Sequence, residues 1–111
     1  MPEAPKLTAE QRAQALAEAA AARTARAGVR TRLKAGTLSL PEVLAEAERD
    51  PHLAAMRVSA LIAALPGYGA ARSAALMRQL RIAESRRIRG LGPKQRVALL
   101  SLLTDHAESQ P

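Results

Sequence analysis

Two short glycine-containing segments hold the residues best suited to chemistry. The first is Leu65-Pro66-Gly67-Tyr68-Gly69, with Arg72 just downstream. Pro66 cannot continue a preceding helix, and Gly67 and Gly69 permit positive φ and a close approach to the backbone. A turn of this kind delivers free N–H groups at the start of the next helix, where the helix dipole also favours an anion. The second segment is Ser85-Arg86-Arg87-Ile88-Arg89-Gly90-Leu91-Gly92-Pro93-Lys94-Gln95. Gly90 and Gly92 repeat the glycine spacing, so the same turn chemistry is expected there. Arg86, Arg87, Arg89, Lys94 and Arg96 place five bases within eleven residues, with no acid between Glu84 and the end of the run. Fixed cations beside exposed amides suit a phosphate-bearing polyanion; the bland alternatives are an ordinary interhelical turn and a solvated basic loop.

Other chemistries find little support. The chain has no cysteine, which excludes disulfides, thiol catalysis and thiolate-bound zinc. His52 and His106 lie in unlike contexts without a paired carboxylate pattern, so both read as surface histidines. No phosphate-binding Walker motif is present. Met1-Pro2-Glu3 resembles the start of DNA glycosylases that use an N-terminal proline amine, but such enzymes need a β-rich catalytic domain for which this chain has no room. No metal, cofactor, small-molecule substrate or enzymatic activity is expected.

The elements that position the two segments are helical. Thr8-Ala9-Glu10-Gln11 fits a capping box, and an Ala- and Arg-rich segment without proline runs from there to about Ala35, stopping near Gly36. Ser39 caps a second helix with Pro41 in its first turn, and this helix stops before Asp50-Pro51. The periodicity predicts a third helix from about Leu53 to Leu65, a fourth from Gly69 to about Leu80, a short turn capped by Ser85 and a last helix from Pro93 to about Leu103. Ser73, Leu76 and Leu80 supply the small and apolar positions for close packing across the first turn, and Val97, Leu99, Leu100, Leu102 and Leu103 are expected to anchor the last helix. No run alternates with period two, so the fold class is all-α. The expected organisation is a flexible tail at 1–7, a long basic N-terminal helix at 8–36, a compact bundle at 37–104 and a tail at 105–111.

Charge is spread unevenly along this framework. The 111 residues include 17 Lys and Arg against 10 Asp and Glu, a net of +7. The central stretch 41–60 is acidic, whereas both flanks are basic. At 100° per residue, Arg12, Arg23, Arg26, Arg30 and Lys34 fall within about 40° of one line on the first helix. That helix has few bulky apolar residues, chiefly Leu16, Val29 and Leu33, so its first half is expected to project from the body. The five aligned bases form a further candidate phosphate contact. A membrane-surface helix is the rival, but its apolar face would be mostly alanine. No stretch has the roughly 18 to 20 apolar residues of a membrane span, and the N-terminus lacks a secretory signal; a cytoplasmic location is expected.

Tyr68 is the sole aromatic residue, too few to build the stacking platform that single-strand binders commonly use. A duplex read through phosphates and shape is therefore the expected partner. Tyr68 itself is expected to pack between its two helices. An RNA-binding module is the second reading.

The motifs together resemble the actinobacterial integration host factors, small nucleoid-associated proteins of mycobacteria and streptomycetes. The similarity runs from about Leu7 to Leu103 and includes Leu7-Thr8-Ala9-Glu10-Gln11-Arg12, Met56-Arg57-Val58-Ser59-Ala60-Leu61, the Leu65–Gly69 turn and Ser85-Arg86-Arg87-Ile88-Arg89-Gly90-Leu91-Gly92. The resemblance implies a ribosomal-type helix-two-turn-helix domain containing a helix-hairpin-helix turn, preceded by a long helix, unrelated in fold to the dimeric proteobacterial proteins of similar name. It also implies double-stranded DNA binding with little sequence specificity, DNA bending, and roles in nucleoid organisation and phage integration; the expected protein is a monomer that acts in global transcription as well. DNA contacts then fall on the hairpin and on Arg86, Arg87 and Arg89. Relatives usually carry Lys directly after the second hairpin glycine, where this chain has Ala70. Weaker binding at that site is expected, resting on backbone amides and Arg72.

Overall fold

A computed structural model describes residues 6–108, with side chains through Leu103. Among the described residues six helices follow in order: α1 (Ala9–Ala35), α2 (Leu40–Ala47), α3 (Pro51–Ala54), α4 (Val58–Ala64), α5 (Ala70–Gln79) and α6 (Pro93–Glu108), with a 3-10 turn at Ile88–Gly90 between the last two. Among the described residues the one extended pairing is an isolated antiparallel bridge between Arg57 and Arg87.

Helix α1 begins as its sequence dictates. The Thr8 hydroxyl accepts from the Gln11 amide at 3.0 Å, and the Thr8 amide donates to the Gln11 side chain at 2.9 Å. The helix ends in a Schellman motif. Gly36 takes φ +77°, its amide donates to the Leu33 carbonyl, and the Thr37 amide reaches back to Arg32. Between those caps only Val29 and Leu33 are buried; Leu16 is 67% exposed. The C-terminal turns pack on α3 and α4, and the first half lies in solvent, which accounts for the 61 Å long dimension of the molecule. Ser39 and Glu42 form a second capping box at α2. Hydrogen bonds from the Ser39 side chain and then its backbone hold the exposed Glu42 carboxyl below its ordinary value.

The core gathers the apolar faces of these short helices: Leu33 from α1, Val43 and Leu44 from α2, Leu61 and Ile62 from α4, Met77 from α5 and Leu99 from α6 are all nearly or fully buried. Helix α6 is anchored by Leu99, with Leu100, Leu102 and Leu103 packed against the core. Val97 differs from expectation at 65% exposed: two residues before Leu99, it lies some 200° around the helix. The last helix also continues past Leu103 to Glu108, overlapping the expected tail at 105–111. Residues 1–5 and 109–111, and the side chain of His106, lie outside the described residues.

The expected continuous helix from Leu53 to Leu65 is instead two helices. The break is at Ala55-Met56-Arg57, where Arg57 takes an extended φ/ψ of −74°/137°. A competing tertiary interaction wins here. The Val58 amide donates to the Arg86 carbonyl at 3.0 Å, and the Ile88 amide donates to the Met56 carbonyl at 2.9 Å. Ile88 and Met56, both 2% exposed, are buried by the same pairing.

Candidate nucleic-acid interface

The hairpin between α4 and α5 is a type II turn. The Tyr68 amide donates to the Leu65 carbonyl at 3.0 Å, Pro66 takes the second position and Gly67, at φ +80°, the third. Leu65 is half-buried and packs against the core, and Pro66 is exposed. Gly69 does not adopt the expected positive φ. It is extended at φ −135°, and a Cβ built there would meet nothing within 4 Å, so its contribution is an open approach to the backbone. Helix α5 starts with no side-chain cap, which leaves its first amides facing outward without an intrahelical acceptor. Tyr68 is half-buried against the core. The Arg72 guanidinium lies 4.7 Å from the Tyr68 ring centroid and donates to the Gly67 carbonyl at 3.1 Å. This arginine therefore braces the turn while its remaining donors face solvent.

Close helix packing makes this geometry rigid. Ser73 is 2% exposed, and its hydroxyl donates to the Ser59 carbonyl on α4 at 2.8 Å.

The second segment is built differently from the first, and its glycines do not repeat the hairpin. Among the described residues only Gly36 and Gly67 are glycines at positive φ. The chain after the bridge makes a 3-10 turn whose flanking residue is Arg87, so Ser85 is not its cap. Gly90 serves close approach: its carbonyl accepts from the Arg86 guanidinium at 2.7 Å, and a Cβ there would lie 3.2 Å from Arg86 Cδ. Gly92 leads into α6, its amide donating to the Gln95 side chain at 3.2 Å. The Arg87 guanidinium donates to the Ala55 carbonyl. Arg89 and Lys94 are exposed. Arg86 and Arg87 thus have a structural duty that their sequence context gave no sign of. Arg96 leans the other way, toward Glu48 at 3.4 Å.

Of the N-terminal bases, the fold brings Arg30 and Lys34 against α4. With Thr31, Ala35, Ala60, Ala63 and Ala64 they line an open groove of about 670 Å³, in the helix that leads into the hairpin. Arg26 is half-buried and Arg23 exposed. The 3-10 turn packs on α2 and α3, whereas the hairpin joins α4 to α5; the basic segments are carried on different parts of one core. Arg57, which the sequence places inside a helix, is exposed and stands opposite Arg87. No helix among the described residues is long and apolar enough to cross a membrane.

Residues 33–102 match the S13-like H2TH domain family. The integration host factor of Mycolicibacterium smegmatis is 54% identical over 96 residues, covering 86% of this chain and 91% of that protein. This chain belongs to the actinobacterial integration host factor family. Similarity to other integration host factors is comparable: 54% identity to that of Mycobacterium tuberculosis over the same shares, and 50% to that of Streptomyces coelicolor, covering 86% and 89%. In three dimensions the chain is similar to sIHF solved bound to an 8-bp palindromic DNA. The TM-score is 0.74 at 45% identity, covering 76% of this chain and 94% of that one. The family's all-helical fold, the long first helix and the helix-two-turn-helix body are those expected from the sequence.

Proposed function

We propose that this chain is a monomeric, non-catalytic architectural protein of the nucleoid that binds double-stranded DNA through its phosphates and bends it. Its roles are nucleoid organisation, phage integration and global transcription. The observation that carries the reading is the similarity over nearly all of a DNA-bound sIHF chain. The hairpin contributes the amides of Gly67 and Gly69, framed by Leu65, Pro66 and Tyr68, whose own amide closes the turn on the Leu65 carbonyl, together with Arg72. The second segment contributes the side chains of Arg86, Arg87, Arg89 and Lys94, presented by a turn that Gly90 and Gly92 shape and whose own backbone bonds are made within the protein. Arg23, Arg26, Arg30 and Lys34 extend the contact along α1. In functional terms residues 8–36 are a basic arm and residues 37–104 the binding body.

Two basic elements fixed on one rigid body can hold a duplex bent, offsetting a deformation cost of a few kcal/mol with added contacts. The contacts fall on phosphates, which carry no sequence information directly, so low sequence specificity follows. Competition between a duplex DNA and a structured RNA at matched salt tests the assignment. Preferential retention of the duplex is expected; equal or tighter retention of the RNA would overturn it.

A further inference from the structure

Arg57 is held where like charges meet. The bridge bonds run from the Val58 amide to the Arg86 carbonyl and from the Ile88 amide to the Met56 carbonyl. They flank Arg57 and Arg87 without joining them, which makes these two the non-hydrogen-bonded pair of an antiparallel ladder. That is the closer of the two pair types, with Cα atoms about 4.5 Å apart and side chains leaving on the same face. Like charges directly opposite one another destabilise such a pairing. Among the described residues neither arginine has a carboxylate partner to offset it, and the Arg57 guanidinium makes no hydrogen bond to any of them. Arg87 is pinned by its bond to the Ala55 carbonyl, which uses one of its five donors. The same pairing coincides with the break between α3 and α4 at Ala55–Arg57.

An anion between the two guanidiniums would turn the repulsion into attraction, with charge-assisted bonds from both sides. We infer that Arg57 and Arg87 form a two-arginine clamp for one phosphodiester of the duplex, so that Arg57 is a DNA-contacting residue. This rests on the proposed function, and it adds a residue that lies about thirty positions from the basic segment it serves.

Duplex affinity against salt, measured by fluorescence anisotropy, tests it with four proteins: wild type, Arg57→Gln, Arg57→Lys and Arg49→Gln. Arg49 is an exposed residue after the acidic α2, so its loss controls for net charge. Arg57→Gln is expected to bind about fivefold to tenfold more weakly than Arg49→Gln, with a log–log salt slope shallower by about one. Its melting temperature should be no lower than that of Arg49→Gln, since a repulsion has been removed. Arg57→Lys should keep the wild-type slope while losing part of the affinity, because lysine keeps the charge without the planar fork. Equal behaviour of Arg57→Gln and Arg49→Gln would overturn the clamp, as would a lower melting temperature with an unchanged slope. A wild-type chain that does not bind duplex at all would instead overturn the functional reading itself.

Discussion

The Arg72 guanidinium stacks 4.7 Å from the centre of the Tyr68 ring, one turn of α5 away from the hairpin it steadies. The same side chain donates to the Gly67 carbonyl, so the hairpin's lone arginine couples turn rigidity to phosphate attraction. Arg72→Ala is expected to weaken duplex binding about threefold to tenfold and to flatten the salt slope by about one. Its cost in stability should stay at or below about 1 kcal/mol, the range of an exposed cation–π contact. Parallel anisotropy titrations and urea unfolding check both numbers.

Ser73 ties α5 to α4 through the Ser59 carbonyl. Ser73→Ala should lower stability by about 1 kcal/mol, the net worth of one buried hydrogen bond. Ser73→Leu should cost more, about 1–3 kcal/mol, because the enlarged side chain separates two closely packed helices. Urea denaturation of both variants, with duplex affinity measured well below the transition, tests whether the loss of binding follows the size of the inserted side chain.

Two helices end in the same left-handed cap with opposite residue choices. Gly36 occupies it after α1, while after α5 Arg81 does so at φ +56°. There the Ile82 amide donates to the Met77 carbonyl and the Arg81 amide to Arg78. A side chain in this conformation costs roughly 1–2 kcal/mol. Arg81→Gly should therefore raise stability by about 0.5–1 kcal/mol, after the added chain entropy of glycine is subtracted. Gly36→Ala should lower it by about 1 kcal/mol although open space surrounds the position. Shifts of the urea midpoint in opposite directions, at unchanged m, are the expected result.

A methyl group at Gly90 would press on Arg86 Cδ at 3.2 Å. The Arg86 side chain can move aside, so Gly90→Ala should leave stability within about 0.5 kcal/mol of wild type. The displaced guanidinium releases the Gly90 carbonyl, and duplex affinity should fall by a few fold through a faster dissociation rate. Stopped-flow dissociation of the preformed complex checks this; an unchanged rate would remove Arg86 from the contact set.

The sequence announced those features that depend on local chemistry. Thr8 with Gln11, Ser39 as a cap, Gly36 and the Pro66-Gly67 turn are all local signals, and each appears in the structure where its residues place it. Val29 and Leu33 were sufficient to tell which end of α1 docks. Features that depend on distant partners were hidden. The break at Ala55–Arg57 has no proline or glycine to mark it; the isolated bridge between Arg57 and Arg87 displaces the helix there. Gly90-Leu91-Gly92 shares its spacing with the hairpin, yet Ile88 is drawn into the core and the backbone takes a 3-10 turn instead. For the same reason the guanidiniums of Arg86 and Arg87, which look free in the sequence, are tied to the Gly90 and Ala55 carbonyls.

Salt dependence of duplex affinity addresses the phosphate grip most directly. If the hairpin, the Arg86–Lys94 segment and the basic arm together neutralise about five to eight phosphates, log affinity falls linearly with log salt at a slope of about −5 to −7. An affinity for duplex DNA that does not change with salt would contradict it.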